Sequence, residues 1–102
     1  MYRQTKKETP ETLEKHAIKQ YLDVIGAFHF HNMAGMGAYD GVPDRTAIFK
    51  GVVYQIEVKA KGKDGRLSKQ RPGQVVFQEN WQHHGGVYIL GGIDEVMKII
   101  KP

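Results

Sequence analysis

The segment from Val53 to Ala60 constrains the fold of this chain more than any other. Its side chains alternate in character, which predicts a β-strand with two different faces. The apolar face carries Tyr54, Ile56, Val58 and Ala60. The other face carries Gln55, Glu57 and Lys59. A carboxylate and an ammonium group are therefore neighbours on a strand whose other face is apolar and suits the core.

Helical patterns flank this strand. Thr9 and Pro10 match an N-cap and a first helical position, so we expect a helix that runs to about Ile25 and stops at Gly26. Glu14 is in register with its apolar residues and should point along the inner side. The later predicted helices cover Pro72–His84, which ends at Gly85-Gly86, and Asp94–Ile100.

Four strands complete the predicted fold. They cover Ala27–His31, Thr46–Lys50, Val53–Ala60 and Val87–Leu90. A tight hairpin is expected at Lys50-Gly51, and the glycine-rich segment 32–42 reads as an irregular loop. The order αβββαβα predicts an α/β fold in which a mixed sheet is flanked by helices.

Length and composition set outer limits. The 102 residues suit one domain, and a chain this short could cover some of its apolar surface with a partner subunit. No cysteine is present, which excludes disulfides and thiolate metal sites. We find no apolar run that would span a bilayer and no signal-peptide pattern near Met1, so an intracellular, cytoplasmic and soluble protein is expected, without a membrane partner.

The charge distribution indicates a polyanionic partner. The net charge is +4 and the pI is about 9.4. Five basic residues follow the central strand, opposed only by Asp64, and they are Lys61, Lys63, Arg66, Lys69 and Arg71. Such a run suits phosphate contacts, so we predict DNA binding by these residues, with readout of shape rather than base sequence.

The polar strand face also suits phosphodiester chemistry. Asp44 follows Pro43 just before the hairpin, so its carboxylate can reach the same edge as Glu57. Two carboxylates can hold a hard divalent cation, and a neighbouring ammonium can offset charge that develops on a phosphoryl group. Alternatively, Glu57 and Lys59 form an ordinary ion pair on a solvated sheet face. The Pro-Asp step and the basic segment together favour the catalytic interpretation.

Several motifs in this order resemble the VRR-NUC family of restriction-endonuclease-like nucleases. The matching features, over about residues 11–96, are Glu14, Gly41-Val42-Pro43-Asp44, Glu57-Val58-Lys59-Ala60, Leu67-Ser68, Gln74 with Phe77 and Trp81, and Gly86 before Val87. The resemblance implies a restriction-endonuclease-like fold and hydrolysis of DNA.

The resemblance also implies roles for individual residues. Metal ligands would be Asp44, Glu57, the backbone carbonyl of Val58 and, directly or through water, Glu14. Lys59 would be the catalytic lysine, and Gln74 would steady Lys59 or a phosphate. Residues 69–73 lengthen the segment between Leu67-Ser68 and Gln74. Gln70 is therefore an alternative candidate for the glutamine of the site.

The resulting hypothesis is a Mg²⁺- or Mn²⁺-dependent DNA endonuclease without an organic cofactor. Small members of the family imply a homodimer that cuts branched DNA such as four-way junctions or flaps. The alternatives are a non-catalytic nucleic-acid-binding module with the same fold and a purely structural protein. His29 and His31 have a spacing seen in zinc sites but lack a third ligand, so they either line the DNA groove or pack.

Overall fold

The first helix forms where the capping residues predict it. In this computed structural model, residues 8–102 are described, and the sequence on which the signal-peptide prediction rests lies mostly outside them. Helix α1 spans Pro10–Ile25; Thr9 Oγ1 accepts a hydrogen bond of 3.2 Å from the Thr12 N–H, and Gly26 ends the helix at φ 79°. Within residues 8–102, no helix is both long and apolar enough to cross a bilayer.

A four-stranded mixed sheet forms the centre of the molecule. The strands are β1 (Phe28–His31), β2 (Arg45–Phe49), β3 (Val52–Val58) and β4 (Val87–Gly91), in that spatial order. Neighbours among β1, β2 and β3 are antiparallel, whereas β3 and β4 are parallel. The crossover between β3 and β4 contains α2 (Pro72–His83), and α3 (Ile93–Ile99) follows β4. The predicted order and mixed sheet are confirmed.

Two local predictions about β3 have different outcomes. The hairpin at Lys50-Gly51 is present, and both residues adopt positive φ, 50° and 80°, as a type I′ turn requires. The strand itself ends at Val58 rather than Ala60, because its parallel partner β4 ends at Gly91. The Lys59 N–H still donates to the Gly91 carbonyl at 3.0 Å, so Lys59 lies just past the strand end.

The core lies between the sheet and the α1–α3 pair. Its fully buried aliphatic side chains include Ile18, Leu22, Ile56, Ile89, Val96 and Ile100. Burial of each such side chain stabilises the fold by roughly 1.5–3 kcal/mol before conformational entropy is counted. On the opposite face, α2 packs against β4, and Trp81 Nε1 donates to the Val87 carbonyl at 2.9 Å. At the other end of α2, Gln74 in the first turn contacts Glu57 of β3.

The glycine-rich loop is fastened to the start of α2. Gly41 has φ 75°, and a Cβ at this position would overlap the carbonyl oxygen of Gly73. Only glycine permits both this backbone conformation and this close approach. The contact fixes the loop immediately before Pro43 and Asp44.

We predict that Gly41→Ala destabilises the protein by at least about 2 kcal/mol, because the added methyl group must displace the Gly73 backbone. Gly37→Ala is the control: Gly37 has a similar φ of 86° but open space around it, so about 1 kcal/mol is expected. Denaturant unfolding measures both. If both variants lose the same free energy of unfolding, the close contact between Gly41 and Gly73 contributes nothing to stability.

Candidate active site

Asp44 is held at the end of β3 by the backbone. Arg45 pairs with Ile56 in the antiparallel register, so Asp44 lies across from Glu57. The Asp44 N–H donates to the Ile56 carbonyl at 3.0 Å, and Asp44 Oδ2 accepts the Val58 N–H at 2.7 Å. Register and a charge-assisted hydrogen bond together fix this carboxylate.

Glu57 is a buried carboxylate beside Asp44. It is 5% exposed, its Oε2 accepts a hydrogen bond of 3.1 Å from Gln74 Nε2, and Lys59 Nζ lies 4.0 Å from the same oxygen. Burial, followed by the negative charge of Asp44, raises the pKa of Glu57 to about 7, while Lys59 opposes the rise. The structure thus brings Asp44, Glu57, Lys59 and Gln74 together.

The two candidate glutamines have different partners. Besides contacting Glu57, Gln74 accepts the Arg71 N–H through Oε1 at 2.8 Å, so it joins the first turn of α2 to β3. Its contact is therefore with Glu57 rather than with Lys59. Gln70 instead donates to the Tyr88 hydroxyl at 3.3 Å. Burial, and then the charge of Glu57, raises the pKa of Tyr88 to about 12.

A buried polar network supports the loop that carries Asp44. Thr46 Oγ1 donates to Asn32 Oδ1 at 2.7 Å and accepts from Gln55 Nε2 at 2.9 Å. Asn32 Nδ2 donates to Gln55 Oε1 at 2.9 Å and lies 3.1 Å from the Pro43 carbonyl oxygen. The sequence interpretation missed Asn32 and Thr46, although two facing polar residues on β2 and β3, Thr46 and Gln55, were a usable signal.

Glu14 has its hydrogen-bond contact with α3 rather than with Asp44 or Glu57. Its Oε1 accepts the Ile93 N–H at 2.8 Å, so its carboxylate binds the N-terminus of α3. It also lines a cavity of about 150 Å³ together with Lys59 and Lys61. The structure accordingly gives Glu14 a helix-docking contact, and its predicted role as a metal ligand stays a prediction.

Another pair on α1 faces Asp44 instead. Lys15 Nζ lies 3.4 Å from Asp44 Oδ1 and 3.5 Å from Glu11 Oε2. Partial burial lowers the pKa of Lys15, but the charges of Asp44 and Glu11 outweigh it and the net shift is upward. The sequence interpretation missed both residues. Glu11, Lys15, Ile18 and Leu22 follow one another at spacings of four, three and four residues, which places them on one side of α1. Because Ile18 and Leu22 are buried, this register was a usable signal for Glu11 and Lys15.

The histidines of β1 do not form a zinc site. His29 has a buried ring whose Nε2 lies 2.6 Å from Asp23 Oδ1, and its Nδ1 lies 2.9 Å from Arg45 Nη1. Within residues 8–102, no three His, Cys, Asp or Glu side chains cluster as a metal-binding group. Of the predicted alternatives for His29, packing is confirmed by these contacts.

The five predicted DNA-binding residues remain accessible. Residues 61 and 67 form a short bridge just after β3, and every one of the five basic side chains is exposed. In the described part of the chain, no carboxylate lies within 4.0 Å of their charged groups. The exposed residues are Lys61, Lys63, Arg66, Lys69 and Arg71.

The donor set fits one hard divalent cation. Asp44 and Glu57 supply carboxylate oxygens, and the Val58 carbonyl follows them on the same strand end. Mg²⁺ commonly takes only one or two protein carboxylates and keeps several waters, so a third acidic residue is unnecessary. The raised pKa of Glu57 is a further observation in favour, because a carboxyl group held next to another carboxylate binds either a proton or a cation.

The element order and the four-stranded mixed sheet flanked by helices define the class of fold as α/β. More particularly, the chain has the fold of a solved structure described as a VRR_NUC domain, with a TM-score of 0.74 and 21% sequence identity over 92% of this chain and 100% of the other. No family model and no curated protein matches the sequence. The predicted VRR-NUC fold is confirmed by this structural match.

We predict that metal-free Glu57→Gln gains stability over the parent protein as pH rises. The unfolded carboxyl group ionises near its ordinary value of 4.5, whereas the folded one holds its proton to about pH 7. The parent therefore loses stability between these pH values, by about 3 kcal/mol, and glutamine does not titrate. Urea unfolding in EDTA at pH 4 and pH 8 measures this, and a difference that is independent of pH would contradict it.

Proposed function

We propose that this protein is a Mg²⁺- or Mn²⁺-dependent DNA endonuclease. The observation that carries the proposal is the buried Glu57 next to the partly buried Asp44, beside Lys59 at one strand end. A protein that only binds DNA gains nothing from two adjacent carboxylates at this site, because they repel phosphate. Within a VRR-NUC fold, this arrangement is best explained by metal-dependent hydrolysis.

The bound cation would be held by Asp44, Glu57 and the Val58 carbonyl. When bound, it supplies a Lewis acid that polarises the phosphoryl oxygen and lowers the pKa of water. Gln74 orients Glu57 by donating to Oε2, which leaves Oε1 for the cation. Glu14 would contribute through water, since its Oε1 already binds the Ile93 N–H.

Lys59 is the residue placed to act on the reacting groups. Its side chain is 12% exposed, and its Nζ is 4.0 Å from Glu57, so the ammonium sits at the boundary between the buried acids and solvent. There it can orient the attacking water and offset negative charge on the phosphoryl group. Loss of this single charge should therefore affect turnover more than DNA binding.

The substrate would be DNA with a branch, bound by two copies of the chain. The outer edge of β1 has no neighbouring strand within residues 8–102, and Phe28 and Phe30 beside it are 65% and 46% exposed. Pairing of two such edges would cover these rings and place two acidic sites under two-fold symmetry. The basic segment 61–71 would follow the phosphates that lead away from each site.

We expect the protein to cleave four-way or flapped DNA in Mg²⁺ or Mn²⁺ and not in EDTA. Glu57→Gln and Lys59→Ala should each lower the single-turnover rate by at least about a hundredfold while DNA binding persists, because they remove a cation ligand and a charge at the reacting group. Gel assays on linear, flapped and four-way DNA measure both quantities.

A matched control for these variants is Lys98→Ala, which removes an exposed charge on α3 and should leave the rate within about twofold. Binding without cleavage in every metal would refute the enzyme and favour a non-catalytic module. Cleavage of linear DNA at the same rate as branched DNA, by a monomer, would refute the substrate preference and the homodimer but retain the nuclease.

The basic segment gives a separate prediction. Lys63→Ala combined with Lys69→Ala should reduce the slope of log affinity against log salt by about 1.8 for duplex DNA, since each phosphate contact contributes about 0.9. Lys50→Asn is the control, because Lys50 lies at the β2–β3 turn, at the opposite end of β3 from Glu57. Fluorescence anisotropy at several salt concentrations measures the slope, and an unchanged slope would remove these lysines from the interface.

A further inference from the structure

Lys15 occupies a position that the proposed chemistry leaves unexplained. Its ammonium lies 3.4 Å from Asp44 Oδ1, although Asp44 is the carboxylate that should face a divalent cation. We propose that Lys15 is an internal counter-ion that holds Asp44 in the metal-free protein and competes with the divalent cation for it. This proposal rests on the metal dependence proposed above.

The competition follows from how the two oxygens of Asp44 are used. Oδ2 accepts the Val58 N–H at 2.7 Å, so Oδ1 is the oxygen that is less occupied by the backbone and more open to a cation. Lys15 Nζ is the charged group in contact with Oδ1. A divalent ion bound at Oδ1 would be within a few ångströms of this ammonium, and like charges at that distance repel each other.

Glu11 provides a second position for the same ammonium. Its Oε2 lies 3.5 Å from Lys15 Nζ, one helical turn before Lys15 on α1. The Lys15 side chain is 40% exposed and has four flexible methylene groups, so its Nζ can leave Asp44 and stay beside Glu11. Binding of the cation therefore requires a side-chain movement and no change of the fold.

The metal-free protein benefits from the same contact. Burial, and then the negative charges of Asp44 and Glu11, raise the pKa of Glu57, so the acidic residues around Lys15 repel one another when they are ionised. Lys15 offsets that repulsion until a divalent cation replaces it. Lys15 is thus a positioning residue. It keeps the metal-free site ordered, and it lowers the affinity of the site for a divalent cation.

The test measures Mn²⁺ binding by calorimetry with Lys15→Met. Without the competing ammonium, we expect Mn²⁺ to bind about tenfold more tightly than to the parent protein. Lys15→Arg keeps the charge and should stay within about twofold of the parent. Lys19→Met, which removes an exposed charge one turn further along α1, is the matched control and should also stay within about twofold.

Thermal unfolding gives a second readout that does not depend on activity. In EDTA, Lys15→Met should unfold at a lower temperature than the parent protein. Added Mn²⁺ should raise the unfolding temperature of Lys15→Met by more than it raises that of the parent. Lys15→Gln carries the same expectations if the methionine variant fails to fold.

Equal or weaker Mn²⁺ binding by the neutral Lys15 variants, with the parent protein binding Mn²⁺, overturns the role of Lys15 and leaves the nuclease proposal intact. If neither the parent nor any variant binds Mn²⁺ or Mg²⁺, the proposed metal-dependent function fails together with it.

Discussion

The placement of two carboxylates side by side in a largely buried site is the constraint on which the rest of this structure depends. Asp44 and Glu57 meet where β2 begins and β3 ends, and Glu57 is almost fully excluded from solvent. An uncompensated buried charge costs several kcal/mol, so the fold must surround the pair with donors and cations. The Val58 N–H and the Gln74 amide supply the nearest donors.

These donors come from different parts of the chain. Gln74 belongs to the first turn of α2, which is fixed on the other side by the close contact between Gly73 and Gly41 of the loop. Asn32 ties the opposite end of that loop to β2 and β3. The site is consequently a product of the loop, the sheet and α2 acting together, and a change in any one of them alters the geometry of Asp44 relative to Glu57.

The electrostatic organisation separates an acidic interior from a basic exterior. The segment 61–71 presents exposed cations, whereas the strand end just before it holds the carboxylates. Phosphates would be attracted to the outer surface but repelled from the acidic pair until a cation neutralises it. Each carboxylate has its own ammonium neighbour, since Lys59 contacts Glu57 and Lys15 contacts Asp44. Such a layered distribution is consistent with a site that takes up metal and substrate together.

Local sequence patterns predict the helices and strands and bring Asp44, Glu57 and Lys59 into one candidate site. Local rules were sufficient for the α1 caps, the Lys50-Gly51 turn and the alternation of β3, because each depends on neighbouring residues only. Which residues meet across long distances in the chain depends on tertiary packing. Glu14 and Lys15 both satisfy a helical pattern, and the rotation of α1 against the sheet and α3 turns Glu14 to α3 and Lys15 to Asp44. Likewise, the docking of α2 brings Gln74 rather than Gln70 to Glu57, a choice that depends on packing between segments distant in the chain.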